Sequence, residues 1–198
     1  ERREQSTEQV LAAALAQFVT RGYHSTSIDD IARAAGLTKG AVYFYFKGKS
    51  ALLLELLAQS SVLYTGIFRE MQDSGKSAAR QLEMFVEWAA DVGTQNSELL
   101  LLPILMSLEF NGRDAEVERA LDRLYDRYHD EMERVVVLGQ ETGEFNDALS
   151  PREEAAVLVA FTDGMLLEWI RRSRRLDGRR LVQSAKALIA GGLRSSTQ

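Results

Sequence analysis

"TKGAVYFYFKGKS", Thr38 to Ser50, is the stretch that decides the fold. Val42, Tyr43, Phe44, Tyr45 and Phe46 run together, and by propensity such a run is a β-strand. A strand needs a partner and is not viable alone. None is offered nearby, because helical patterns flank the segment on both sides. Thr38 is a favourable N-cap. In a helix opened by Thr38, Val42 and Phe46 share a face at i, i+4 and become core. Tyr43, Phe44 and Tyr45 are then left outside, on a helix too short to hide them.

Upstream, Val10, Leu11, Ala14, Leu15 and Phe18 form one helical stripe that Gly22 ends. "STSIDDIARAAGL" supplies Ser25, Thr26 or Ser27 as an N-cap, Asp29 and Asp30 in the first turn, and Gly36 after the last. Two short helices thus meet at "AAGLT". Ala32 permits their close approach, Gly36 supplies the positive φ of a sharp turn, and Leu37 and Val42 fill the space between them. This is the helix-turn-helix arrangement, whose second helix enters the DNA major groove.

Downstream, helices are expected from about Ser50 to Asp73, and over 79–93, 98–110, 114–142, 151–174 and 178–191. Ser150-Pro151 is an N-cap followed by proline at the first helical position. The fold class is therefore all-α, about nine helices with short connections.

Composition narrows the function. The chain has 198 residues, no cysteine and a net charge of −5. That removes thiolate nucleophiles, zinc–thiolate sites and a disulfide framework. No apolar run approaches the roughly 18 residues of a membrane span, and "ERREQSTEQ" is not a signal peptide. No membrane association and a cytoplasmic location are expected. Residues 1–50 carry +2 and the remainder −7, a mildly basic head on an acidic body. No phosphate loop and no paired His/carboxylate motif is present, so neither an enzyme nor a cofactor is expected. His129 shares a face with Tyr125 and Glu133, too few ligands for a metal.

The run "VLAAALAQFVTRGYHSTSIDDIARAAGLTKGAVYFYFKGKSALL", residues 10–53, resembles the TetR family of transcriptional regulators. The telling positions are Gly22-Tyr23, Thr26, Ile31-Ala32, Ala35-Gly36-Leu37, Tyr43, Phe46 and Lys49. The resemblance implies a DNA-binding head, residues 1–48, and an effector-binding and dimerisation domain, residues 49–198. It implies that Thr26 and Ser27 hold phosphate, that Lys39, Gly40 and Ala41 front the recognition helix, and that Tyr43 and Lys49 contact the DNA backbone. Phe44 and Tyr45 would touch bases or phosphates. On physical grounds, small Gly40 and Ala41 let the helix approach base edges, and Lys39 reaches guanine or phosphate. Lys47 is a further phosphate candidate by position.

In the body, "AAVLVAFTDGMLLEWI", 155–170, is apolar nearly all round and needs cover on most sides. Gly164 in mid-helix suits a close helix crossing. With "ALIAGGL" in the last helix, this suggests a C2 homodimer through Leu158, Phe161, Gly164, Met165 and Leu188, as the family implies. A dimer would read a near-palindromic double-stranded operator. The resemblance also implies a small-molecule effector. Trp88, Met106, Phe110, Tyr128, His129 and Trp169 are the expected lining, suited to an apolar or aromatic ligand. The leading expectation is a repressor released by that effector. The rivals are an all-α enzyme and an interaction protein with a vestigial DNA head.

Overall fold

The computed structural model describes residues 2–110, 114–172 and 175–193, with side chains from Gln5 onward. Among the described residues there are nine α-helices and no strand. They are α1 Arg2–Arg21, α2 Ile28–Ala34, α3 Lys39–Tyr45, α4 Lys49–Asp73, α5 Ala78–Gln95, α6 Ser97–Glu109, α7 Ala115–Glu141, α8 Pro151–Arg172 and α9 Gly178–Leu193. The all-α expectation holds, and the segment with strand propensity is helix α3.

Local chemistry sets the short helices. The Thr38 hydroxyl oxygen accepts from the Ala41 N–H at 3.2 Å, which opens α3. Ser27 opens α2 in a reciprocal box. Its hydroxyl oxygen accepts from the Asp30 N–H, and the Asp30 carboxylate accepts from the Ser27 N–H, both at 3.1 Å. Gly36, at φ +67°, turns the chain between the two helices. Phe46 departs from expectation. It is the C-cap of α3, with extended backbone, and lies half-buried against the core. Val42 alone of α3 is fully buried.

Packing divides the chain into two compact units. One joins Glu1–Val62 to Glu98–Arg123, and the other joins Leu63–Ser97 to Leu124–Gln198. This division does not coincide with a boundary after residue 48, and the core of the first unit shows why. Val10, Ala14 and Phe18 of α1, Ile31 of α2, Val42 of α3 and Leu52, Leu53 and Leu56 of α4 share one apolar cluster with Leu102, Met106, Phe110, Val117 and Leu121. Each such side chain stabilises by about 1.5–3 kcal/mol on full burial, and three short helices cannot bury that many by themselves. By length and composition alone α4 is apolar enough to cross a membrane, though polar residues interrupt its apolar run. Here its leucines line this core.

In the second unit α5 packs against α9 and α8. Glu131, buried on α7, is paired with Arg134 at 2.6 Å and accepts from Gln72 at 2.7 Å, so its charge is compensated. Lys186 of α9 is paired with Glu87 of α5.

Candidate nucleic-acid interface and ligand site

Helix α3 leaves its front open. Lys39 and Gly40 are exposed and Ala41 is half-buried. Tyr43 is 50% exposed and Phe44 71%. Tyr45 is only half-buried, its ring edge-on to Phe44 at 5.2 Å. Two rings rather than three therefore stand fully outward. Exposed apolar rings side by side on a polar surface mark an interaction site. Lys47 is exposed beside them. The Lys39 ammonium lies 2.7 Å from the Asp29 carboxylate, which ties the front of α3 to α2 and raises the lysine pKa.

Three of the expected phosphate contacts are placed otherwise. Thr26 is 2% exposed, and its hydroxyl donates to the Gly22 carbonyl at 2.8 Å. Ser27 is exposed, but its hydroxyl donates to the Asp30 carboxylate at 2.6 Å, so acid already occupies that helix start. The Lys49 ammonium donates to the carbonyls of Tyr23 at 2.6 Å and Thr26 at 2.8 Å. It also lies 4.2 Å from the centre of the Tyr23 ring, and burial lowers its pKa. The turn between α1 and α2 has carbonyls without helical partners, and the lysine supplies their donor.

That turn is held from a second side, which sequence reasoning missed. The Glu109 carboxylate, at the end of α6, accepts from the backbone N–H of Tyr23 at 2.8 Å and of His24 at 3.4 Å. Phe110 packs its ring on Tyr23 at 4.8 Å and on His24 at 5.4 Å. Met106 and Phe110, expected to line an effector site, are thus committed to the core of the first unit.

In the second unit a ring cluster does form. Tyr64 of α4 meets Trp88 of α5 at 5.3 Å and Tyr128 of α7 at 5.1 Å. Phe85 meets Trp88 at 5.4 Å and Tyr128 at 5.3 Å, and Phe68 packs on Phe85 and Tyr128. Of the expected lining, Trp88 and Tyr128 are in this cluster. His129 is half-buried and follows Tyr128 directly. Trp169 lies instead against Gly178, where a Cβ would be 3.2 Å from its ring. Tyr64 and Phe68 were missed, although their i, i+4 spacing in "LYTGIF" is a legible signal.

Asp163 of α8 borders the cluster. The Tyr125 hydroxyl donates to it at 3.2 Å, and burial pushes its carboxyl up to about 6. Burial, and the nearby Asp163 charge, also raise the phenols of Tyr64, Tyr125 and Tyr128. The Tyr128 hydroxyl is buried without a hydrogen-bond partner. Thr162 lies beside it; its hydroxyl donates to the Leu158 carbonyl at 2.7 Å and keeps lone pairs that face the phenol.

Among the expected dimer residues, Leu158 is buried within the chain itself. Phe161 and Met165 are half-buried and Gly164 is exposed. Leu188 is 64% exposed, and Val157, one turn before Phe161, is 61% exposed. Of the arginine run 171–175, Ser173 and Arg174 lie outside the described residues. Arg171 and Arg172 pair with Glu168, the ordinary state of a solvated helix end.

Comparison with known proteins agrees with this architecture. Residues 10–56 match the model for bacterial regulatory proteins of the tetR family, and residues 78–194 match the C-terminal model of the BetI-type transcriptional repressor. The crystal structure of the MbdR regulator from Azoarcus sp. CIB is 36% identical, covers 96% of this chain and 100% of its own, and superposes with a TM-score of 0.87. The HTH-type transcriptional regulator AcrR of Shigella flexneri is 25% identical over 94% of this chain and 88% of its own. A structure of AibR, described with isovaleryl coenzyme A and operator DNA, is 20% identical, covers 93% of this chain and 97% of its own, and has a TM-score of 0.78. The chain belongs to the TetR family of bacterial regulators. It is a ligand-responsive, DNA-binding transcriptional regulator, and MbdR and AcrR are likewise named as regulators.

Proposed function

We propose that the protein is a homodimeric repressor, without catalytic activity, that acts in the cytoplasm and leaves a near-palindromic operator when it binds a small apolar or aromatic effector. The observation that carries this reading is the pair of exposed rings, Tyr43 and Phe44, on a capped helix behind small Gly40 and Ala41. Lys39, Gly40, Ala41, Tyr43, Phe44 and Lys47 are the contacts to DNA, with Tyr45 supporting the ring of Phe44. Thr26 and Lys49 hold the head's turn from inside, and exposed Ser27 caps α2. DNA contact resides in residues 1–48, and effector binding and dimerisation in 49–198. Dimer contacts come from Val157, Phe161, Gly164, Met165 and Leu188. The AibR complex supports the combination of one small ligand and one DNA duplex on this fold.

Selection of bound duplexes from a random pool tests this directly. A dimer enriches two inverted half-sites about one helical turn apart, and retention weakens steeply with salt. Enrichment of no sequence, or of a single asymmetric half-site, would count against it. Sedimentation of the wild type and of Val157→Glu tests the dimer, with a shift to the monomer mass expected.

A further inference from the structure

Asp163 has no use in the regulator reading so far. It stands in the middle of α8, within the mostly apolar run 155–170. The Tyr125 hydroxyl donates to it, but among the described residues no lysine, arginine or histidine is paired with it. Its carboxyl titrates near 6, so at neutral pH it is largely ionised. Asp163 is half-buried, and a charge partly withdrawn from water is normally paired, because leaving it alone is costly. Its charge acts on the phenols of Tyr64 and Tyr128, and the rings of these two pack with one another and with Trp88 and Phe85 at ring-to-ring centroid separations of 5.1–5.4 Å. The buried Tyr128 hydroxyl has no well-formed hydrogen bond, with only the Thr162 hydroxyl beside it. Aromatic faces carry negative potential and attract cations most strongly when water is excluded. The carboxylate and the rings therefore ask for the same complement, a positive charge on an apolar body.

We propose that this cluster recognises the effector as an organic cation, an apolar or aromatic amine whose ammonium group pairs with Asp163 and whose hydrocarbon part separates the rings of Tyr64, Trp88 and Tyr128. The inference rests on the second unit being the effector domain. It adds the charge that the ligand carries. The Tyr128 hydroxyl gives the bound molecule a second polar contact. A carboxylate head would meet Asp163 as a like charge and is excluded. A neutral alcohol would keep the ring contacts and lose the ion pair.

The test uses the full chain and three probes with the same ring and chain: 4-phenylbutylamine, 4-phenyl-1-butanol and 4-phenylbutyrate. Titration calorimetry and thermal unfolding are measured for wild type, Asp163→Asn and Tyr125→Phe. The amine is expected to bind wild type at least about tenfold more tightly than the alcohol, a difference of one well-formed ion contact, while the butyrate gives no shift. In D163N the preference of amine over alcohol falls to about twofold or less, and in Y125F it persists. A purely structural Asp163–Tyr125 tie would show no charge preference in any of the three proteins. Equal binding of amine and alcohol, tighter binding of butyrate, no binding of the amine to wild type, or an amine preference intact in D163N would each overturn the assignment. Operator binding is measured on the same preparations. If it is intact while the amine fails, the cation assignment falls and the regulator reading stands.

Discussion

The Glu109 carboxylate occupies the space that a side chain on Gly22 would need: its Oε1 lies 2.8 Å from the Cβ position, and Gly22 itself has φ +84°. The same carboxylate accepts the amides of Tyr23 and His24. Gly22→Ala therefore incurs left-handed strain of about 1 kcal/mol. It also displaces an acceptor whose loss from two amides is worth about 1–3 kcal/mol. Urea denaturation should give a total loss of about 2–4 kcal/mol. In a Glu109→Ala background the same substitution should cost only about 1 kcal/mol, because the acceptor is already gone. Additive costs would show that the two residues are not coupled.

Two neighbouring lysines should behave oppositely. Lys49→Met removes the internal donor to Tyr23 and Thr26 and should lower stability by about 1–3 kcal/mol. Lys47→Ala should leave stability within about 0.5 kcal/mol and reduce the slope of log affinity against log salt by about one. A salt slope reduced by Lys49→Met at unchanged stability would refute the internal role.

The exposed rings should matter to DNA and not to folding. Tyr43→Ala and Phe44→Ala should each leave the urea midpoint nearly unchanged and weaken operator binding by about 1–3 kcal/mol. Val42→Ala, at a fully buried site, should instead cost about 2–4 kcal/mol of stability. Unfolding curves and fluorescence anisotropy on labelled operator separate the two effects.

Asp163 should make stability depend on pH in a definite direction. Its folded pKa is raised from 3.8 to about 6, so the folded state holds the proton more tightly than the unfolded chain. The associated stability is present below about pH 4 and is lost as pH rises through 6, by up to about 3 kcal/mol. The facing phenols of Tyr64, Tyr125 and Tyr128 stay neutral over this range. Measured at pH 4.5, 5.5 and 7, the stability of Asp163→Asn relative to wild type should rise with pH. A constant difference would mean that Asp163 keeps its ordinary pKa when folded.

The head was legible because its signals are local. Thr38, Ser27 and Gly36 act within four residues of themselves, and α3 could be read as a helix against its own strand propensity. The orientation of side chains at the head's turn was not legible. Thr26 and Lys49 look like phosphate contacts until Tyr23 and Gly22 are brought beside them. Glu109 lies 86 residues from Tyr23, and nothing at either position announces the other. The ligand cluster was half legible. Trp88 and Tyr128 stood out as large rings, whereas Met106 and Phe110 look the same in sequence and are drawn into a different core. The acid at 163, inside an apolar helix, was the signal that went unread.

The return of α6 to the first unit bears on protein engineering. A chimaera that transplanted only residues 1–48 onto a foreign body would leave Phe18 and Tyr23 without Leu102, Met106, Phe110 and Glu109. DNA specificity in this chain is therefore not a detachable cassette. It is better altered in place, at exposed Gly40, Tyr43 and Phe44 of α3.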